Sequence, residues 1–291
     1  MSKKVNQRKK LFGFFLSLPL IVFLLLLVAF PVFIGIKTSF THDVLSDFQS
    51  HLNGIKNYRF LLRDSNFWYS LEFTIVFSLI VTTLEVTLGI LLAIFFDKKF
   101  PGKKAAFSLI LLPIMIAPSL MAVMFRLLLN ENIGLVPYFL HKAHVNYQIF
   151  SPHKVIFSLV VLDILEYTAF TFLLSYSAFQ NVPSEIHEAA ALDGASRSRT
   201  YRQVILPMLK PMLYIILVLR LIDSIRTFDS VYVLTGGGPG NKTETIGIYI
   251  YKTAFINGNF GVAAAASIIM VLILVPFIPK ILKLFALGDK K

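Results

Sequence analysis

Seven ionisable side chains sit inside long apolar runs: Glu85, Asp163, Glu166, Arg220, Asp223, Arg226 and Asp229. A charge at the centre of a bilayer costs about 2.5–3.5 kcal/mol on insertion scales, so such groups face protein or water. Two chemistries are open to them. Arg220, Asp223, Arg226 and Asp229 alternate in sign every three residues, a spacing at which helix neighbours pair, so one reading is a structural ion-pair ladder. The other is a lined pathway: Asp163, Glu166, Tyr167, Asp223, Phe228, Asp229 and Tyr232 combine carboxylates that accept from hydroxyls with aromatic faces that stack on C–H surfaces. That combination suits a sugar and equally suits other polar solutes. No nucleophile–base–acid set is apparent, so no catalytic residue is assigned.

Three other patterns are weaker. Gly236-Gly-Gly-Pro-Gly-Asn241-Lys242-Thr243 is one residue short of a phosphate-cradling loop, because Asn241 replaces the glycine before the lysine. It also lacks a preceding soluble strand, so it reads as a turn-rich loop and not as an ATP site. His141, His144 and His153 lie in one polar loop without the nearby acids a metal site needs beyond Glu131, so no metal is expected. With no cysteine in the chain, disulfides and thiolate sites are excluded.

The elements that must position these groups follow from hydropathy. The chain has 291 residues, 56% of them hydrophobic and only 15% charged, with the apolar residues gathered in runs. The sequence predicts an all-α, polytopic membrane protein with six transmembrane helices, over about 11–36, 67–96, 105–129, 155–179, 211–234 and 260–285. Residues 1–10 and 286–291 are basic tails, and Pro113 and Pro118 are expected to kink the third span. Lys37 to Asn66 reads as a loop, as does the glycine-rich stretch Thr235 to Asn259. The basic tails, Lys98, Lys99, Lys103, Lys104, Arg197, Arg199, Arg202 and Lys210 fall on one side of the membrane; the other side is poorer in Lys and Arg. The richer side is expected to be cytoplasmic, with both termini there. The net charge of +12 is thus topological, and nucleic acid is not an expected partner. If the fifth span enters at Pro211, Arg220 lies roughly 14 Å along it, and the fourth span brings Asp163 and Glu166 to a similar depth.

Between the fourth and fifth spans lies a polar insert, residues 180–210. Ser184 offers helix-start chemistry, Ile186, Ala189, Ala190 and Leu192 form a short helix with a small face, and Asp193-Gly194 ends it. A second helix begins near Ser196 and carries Tyr201, Val204 and Ile205, before Pro207 and Pro211 bend the chain into the next span. The pattern is a helix, a tight turn and a helix presented as a docking element.

Glu188-Ala-Ala-Ala-Leu-Asp193-Gly194-Ala195, with Tyr201, Ile205, Leu206-Pro207 and Pro211, resembles the cytoplasmic signature loop of ABC importer permeases. Phe228-Asp229 through Val233-Leu-Thr-Gly-Gly-Gly-Pro239 is similar to the carbohydrate-uptake branch, and Gly54-Ile-Lys-Asn-Tyr58 to its maltose-permease-like member. The resemblance implies that residues 180–210 are a helix-turn-helix coupling loop seated on a separate ATPase, with Glu188, Ala189, Ala190, Asp193, Gly194, Ala195, Tyr201 and Pro207 making the coupling. It implies a heterodimer with a second related permease, two cytoplasmic ATPase subunits that hold ATP-Mg, an extracytoplasmic solute-binding protein and a sugar or oligosaccharide substrate. This chain itself would carry no cofactor. Two rivals would read the buried acids differently. A secondary transporter would use them as proton or ion relays, and a membrane-embedded enzyme would use Asp163, Glu166 and Glu85 as acid–base groups. Neither explains the insert.

Overall fold

The computed structural model describes residues 16–45, 47–144, 151 and 154–276. The two basic tails, His153 and the far end of the last predicted span lie outside them. The described chain is mainly helical and forms two compact units, one running up to Asp64 and including Ile250–Leu272, the other built on Ser65–Tyr249.

In the first unit, α1 (Leu16–Ser39) is strongly apolar: its most apolar 18-residue window has a mean hydropathy of 2.9, and none of that window is buried. A helix of that length and composition can cross a bilayer. The stretch expected as a loop is instead folded. A two-stranded antiparallel hairpin, β1 (Thr41–Val44) and β2 (Asp47–Leu52), pairs Thr41 with Leu52 and His42 with His51. It is the one departure from an all-α chain among the described residues, and α2 (Lys56–Arg63) follows. The buried Asn57 explains the order here: its amide donates to the carbonyls of Ser39 and Thr41, at 2.8 Å each. Gly261, in α12 (Phe260–Leu274), lies so close that a Cβ would sit 2.4 Å from the Thr41 carbonyl.

The second unit rests on α3 (Ser65–Phe96) and α7 (Lys154–Gln180), which match the second and fourth predicted spans. They cross closely because Gly89 has no side chain: a Cβ there would stand 2.5 Å from Thr171 Oγ1 and 2.7 Å from the Thr171 backbone. The Thr171 hydroxyl uses that closeness to donate to the Glu85 carbonyl at 2.7 Å. The third predicted span is two helices, α4 (Lys103–Leu111) and α5 (Pro118–Leu128), joined by a 3-10 turn at Pro113–Met115. Each proline denies the helix a backbone donor, so the two expected kinks become a break. A short helix, α6 (Leu135–Lys142), precedes α7.

The insert forms α8 (Ser184–Leu192), a turn at Gly194 with φ +69°, and a helix beginning at Arg197. Ser184 is the first helical residue and not the cap; Pro183 stands at the cap position, without a side-chain bond. The helix expected over 211–234 starts earlier and stops earlier. It runs without interruption as α9 (Arg197–Ile225), with a π turn at Tyr201–Ile205 and Pro211 inside it. After a break, α10 (Asp229–Thr235) begins, and the predicted glycine-rich loop goes on to form α11 (Ile246–Ile256). Four of these helices (α1, α3, α7 and α9) are individually long and apolar enough to cross a membrane.

Gly89→Leu should destabilise the protein by about 1–3 kcal/mol, since the crossing has no room to give. Leu84→Ala, on the exposed side of α3, should change stability by only about 0.5 kcal/mol. Thermal unfolding in detergent separates the two.

Candidate functional site

Arg220 is the largest fully buried side chain, with 1% of its surface exposed. Three helices converge on its guanidinium. Glu85 of α3 takes a forked pair of bonds, Nε to Oε2 at 2.5 Å and Nη2 to Oε1 at 3.1 Å. Asp163 of α7 accepts from Nη2 at 2.7 Å, and Asp223, one turn on in α9, accepts from Nη1 at 3.3 Å. The Tyr167 ring lies under the guanidinium, 3.9 Å from its carbon. A planar fork with five donors can satisfy three carboxylates and stack at once; a lysine could not. Nearby in α3 and α9, Thr82 and Ser224 hydroxyls bond at 3.0 Å. The expected ladder along one helix is therefore reduced to Arg220–Asp223, and the short bonds run between helices.

The polar stripes meet as the sequence implied, but their members differ in access. Asp163 and Glu166 are each only 2% exposed, and Asp163 is engaged by Arg220. Glu166 Oε2 and Asp163 Oδ1 are buried with no hydrogen-bond partner among the described residues. Asp223 remains open, with 45% of its side chain exposed, and Asp229 is exposed. Phe228 and Tyr232 stack in parallel, 5.1 Å between centroids and 14° between planes. Thus Asp223, Phe228, Asp229 and Tyr232 surround the break between α9 and α10, while Asp163 and Tyr167 belong to the buried hub.

A helix break amid apolar spans frees backbone groups that must find partners. Here the freed Thr227 carbonyl accepts from the Thr245 hydroxyl at 3.3 Å. The loop that brings Thr245 there is the glycine-rich segment. Gly236, Gly237 and Gly240 take positive φ, and Thr243 bonds both the Thr235 hydroxyl and the Gly238 carbonyl at 2.8 Å. Ile246 N–H then donates to Thr74 Oγ1 at 2.8 Å, which pins the loop to α3. Those glycines serve turn geometry. Of the histidines, His141 and His144 are described, and no group of three metal-ligating side chains occurs among the described residues.

In the insert, Glu188, Ala189, Asp193, Gly194 and Pro207 are exposed, Ala195 is half-buried, and Ala190 and Tyr201 are buried. The Tyr201 hydroxyl donates to Asp97 Oδ2, and its ring packs with Phe179 and His187. Tyr201 therefore holds the insert to the end of α3 and is not a free docking side chain. Two residues lie outside the coupling set expected from the sequence: Asp97, the anchor's acceptor, and Leu192, which the sequence put on the small face of the helix and which is 89% exposed at the tip of α8 beside the turn. The signal for Leu192 was present, a leucine immediately before Asp-Gly on an otherwise small helix.

The description that fits residues 85–279 is binding-protein-dependent transport system inner membrane component. The chain is 31% identical over 280 residues to the trehalose/maltose transport system permease protein of Thermococcus litoralis, spanning 95% of this chain and 94% of that one. The chain belongs to this family of inner membrane components. Another member, the multiple sugar-binding transport system permease protein of Streptococcus mutans, is 31% identical over 262 residues, covering 89% of this chain and 90% of its own. The sn-glycerol-3-phosphate transport system permease protein of Brucella abortus is 26% identical over 275 residues, 94% of each chain. The fold matches a crystal structure of a bacterial ABC transporter involved in the import of alginate, with TM-score 0.82 and 20% identity over 99% of this chain and 98% of that chain. This inner membrane component is thus a permease subunit of an ABC importer, a transport protein of the membrane.

Replacing Arg220 by Met should cost about 3–5 kcal/mol, because Glu85 and Asp163 stay buried without their counter-ion. The triple variant Glu85→Gln, Asp163→Asn, Arg220→Met should recover much of that loss. Equal thermal destabilisation in both variants would show that shape and not charge pairing makes the hub.

Proposed function

We propose that the chain forms half of the translocation pathway for a sugar or oligosaccharide and is driven through residues 180–210 by a separate ATPase. The observation that carries this reading is the near full-length, 31% identity to a trehalose/maltose permease. The glycerol-3-phosphate relative keeps a phosphorylated polyol as the second reading, at 26% identity. In the first reading, a second, related permease completes the pathway as a heterodimer. Two cytoplasmic ATPase subunits hold ATP-Mg, and a solute-binding protein delivers substrate from outside.

The arrangement involves six crossings, with α4 and α5 as one broken crossing, α9 with α10 as another, and α12 opening the last. The excess of Lys and Arg on the coupling side supports a cytoplasmic position for both termini. A broken helix is tolerated at membrane depth where it lines a polar cavity, and such breaks mark substrate sites in transporters. On that ground Asp223, Phe228, Asp229 and Tyr232 line the pathway: the open carboxylates accept from hydroxyls, and the stacked rings offer an apolar face. Glu166 and Tyr167 stand behind them, and Asp163 contributes by fixing Arg220. On the coupling loop, Glu188, Ala189, Asp193 and Gly194 present a small, acidic ridge, with Leu192 as its apolar tip, and the buried Ala190 and half-buried Ala195 support it from beneath. Tyr201 and Pro207 set the ridge's position.

Purification in mild detergent, with identification of the co-purifying chains and measurement of ATP turnover on addition of a sugar-loaded binding protein, tests the whole reading. A lone chain with proton-driven uptake would overturn it. Asp229→Ala should lower uptake about 10- to 100-fold, the worth of one hydrogen bond to a charged group, with assembly intact. Gly194→Pro should leave the protein inserted but uncouple ATP hydrolysis from uptake in reconstituted vesicles, because proline cannot adopt the positive φ of that turn.

A further inference from the structure

At the end of α3 where Asp97 meets Tyr201, a cavity of about 450 Å³ opens between α3 and the first turns of α9. Its composition is divided. Ile90, Leu91 and Ile94 of α3 and Leu206 of α9 make an apolar wall, and Lys98, Arg197 and Arg202 gather at one end. Among the described residues no carboxylate lines it. Asp97, the nearest acid in sequence, is already engaged by the Tyr201 hydroxyl and the Gln180 amide. Lys98, Arg197 and Arg202 are exposed, and none forms an ion pair among the described residues. From Ile90 to the end of α3 at Phe96 the groove runs roughly 9 Å along the helix, and Lys98 lies two residues beyond. That is enough to hold the upper part of an acyl chain below a headgroup.

We infer that this groove binds an anionic phospholipid, its phosphate held by Lys98, Arg197 and Arg202 and one acyl chain laid against Ile90, Leu91, Ile94 and Leu206. Both walls belong to helices that are long and apolar enough to cross a membrane, and the cations sit at their ends, where headgroups lie. Basic pockets between spans at the cytoplasmic face take such lipids, each cation adding its share of the attraction. A soluble anion would not need the apolar wall, and a zwitterionic lipid would gain little from three cations that have no carboxylate partner among the described residues, one of which, Arg197, lies over the Tyr201 ring. The inference rests on the proposed membrane orientation only in naming the inner leaflet. Because Tyr201 is part of the same wall, the bound lipid would brace the anchor of the coupling loop.

The test is native mass spectrometry of the purified transporter, or of this chain alone if no partners co-purify, titrated with phosphatidylglycerol, phosphatidylcholine and inorganic phosphate. The expected result is preferential retention of phosphatidylglycerol that phosphate does not displace. The preference should fall roughly fivefold for each of Lys98→Gln, Arg197→Gln and Arg202→Gln and return with Lys98→Arg. Equal retention of both lipids, displacement by inorganic phosphate, or cross-linking of Leu91→Cys to a protein neighbour in place of lipid would each overturn the inference. Co-purification of the ATPase is scored in the same preparation. A failed lipid preference in an assembled, ATP-hydrolysing complex therefore refutes the lipid site and leaves the transport reading standing.

Discussion

The buried guanidinium of Arg220 is the constraint on which the second unit depends. A charge that deep is tolerated only when it is paired and hydrogen-bonded, and its four hydrogen bonds take carboxylates from α3, α7 and α9 together. Apolar packing among membrane helices is weakly specific, because a leucine finds lipid nearly as good a neighbour as another leucine. One forked ion pair is highly specific. It sets the rotation of three helices about their own axes, and through them the direction in which the α9 end points. Gly89 and Thr171 add the separation: with no Cβ between them, α3 and α7 come close enough for Glu85 and Asp163 to share one arginine.

With α9 fixed in rotation, its break becomes meaningful. The helix ends within two turns of Arg220, and α10 starts at Asp229, so the polar residues after the hub sit where backbone is also unwound. Stray carbonyls there would be costly, and a hydroxyl from Thr245 satisfies one of them. The glycine-rich loop is thus a structural requirement of the break. It must turn tightly enough to return Thr245 and Ile246 to α3, which only residues tolerant of positive φ allow.

Much of this was legible in the sequence, and the losses have identifiable causes. The long uniform spans over α3 and α7 were visible because hydropathy alone defines them. The ends of the fifth span were misplaced because Pro211 was taken as a boundary. A proline is tolerated inside a membrane helix when its surroundings satisfy the carbonyl it frees, and here α9 continues through it. The hairpin and α2 were missed because their order comes from Asn57 reaching back to Ser39 and Thr41, a long-range contact that no local period announces. Among site residues, the charges themselves were easy to find, since each interrupts an apolar run. Their division into a buried hub and an open rim was not, because it depends on which face each helix turns inward, and these spans are apolar nearly all round. The paired partner of a buried arginine can lie anywhere in sequence: Glu85 is 135 positions away from Arg220.

The same helix that carries Arg220 also carries Tyr201, and this sets what the insert can transmit. Between them α9 is continuous over nineteen residues, about 28 Å of rigid rod. At one end Tyr201 is tied to Asp97, just past the end of α3, and at the other Arg220 is tied to Glu85 of α3. A push on the exposed ridge of α8 therefore has few soft places in which to dissipate. The π turn at Tyr201–Ile205 and the backbone bond absent at Pro211 are the two points in the rod where hydrogen bonding departs from the regular pattern. Beyond them α9 runs on to Ile225, and Phe228 and Asp229 follow at the α9–α10 break. A stiff helix held at two points on one neighbour and broken just past the second therefore links the insert at one end to the α9–α10 break at the other.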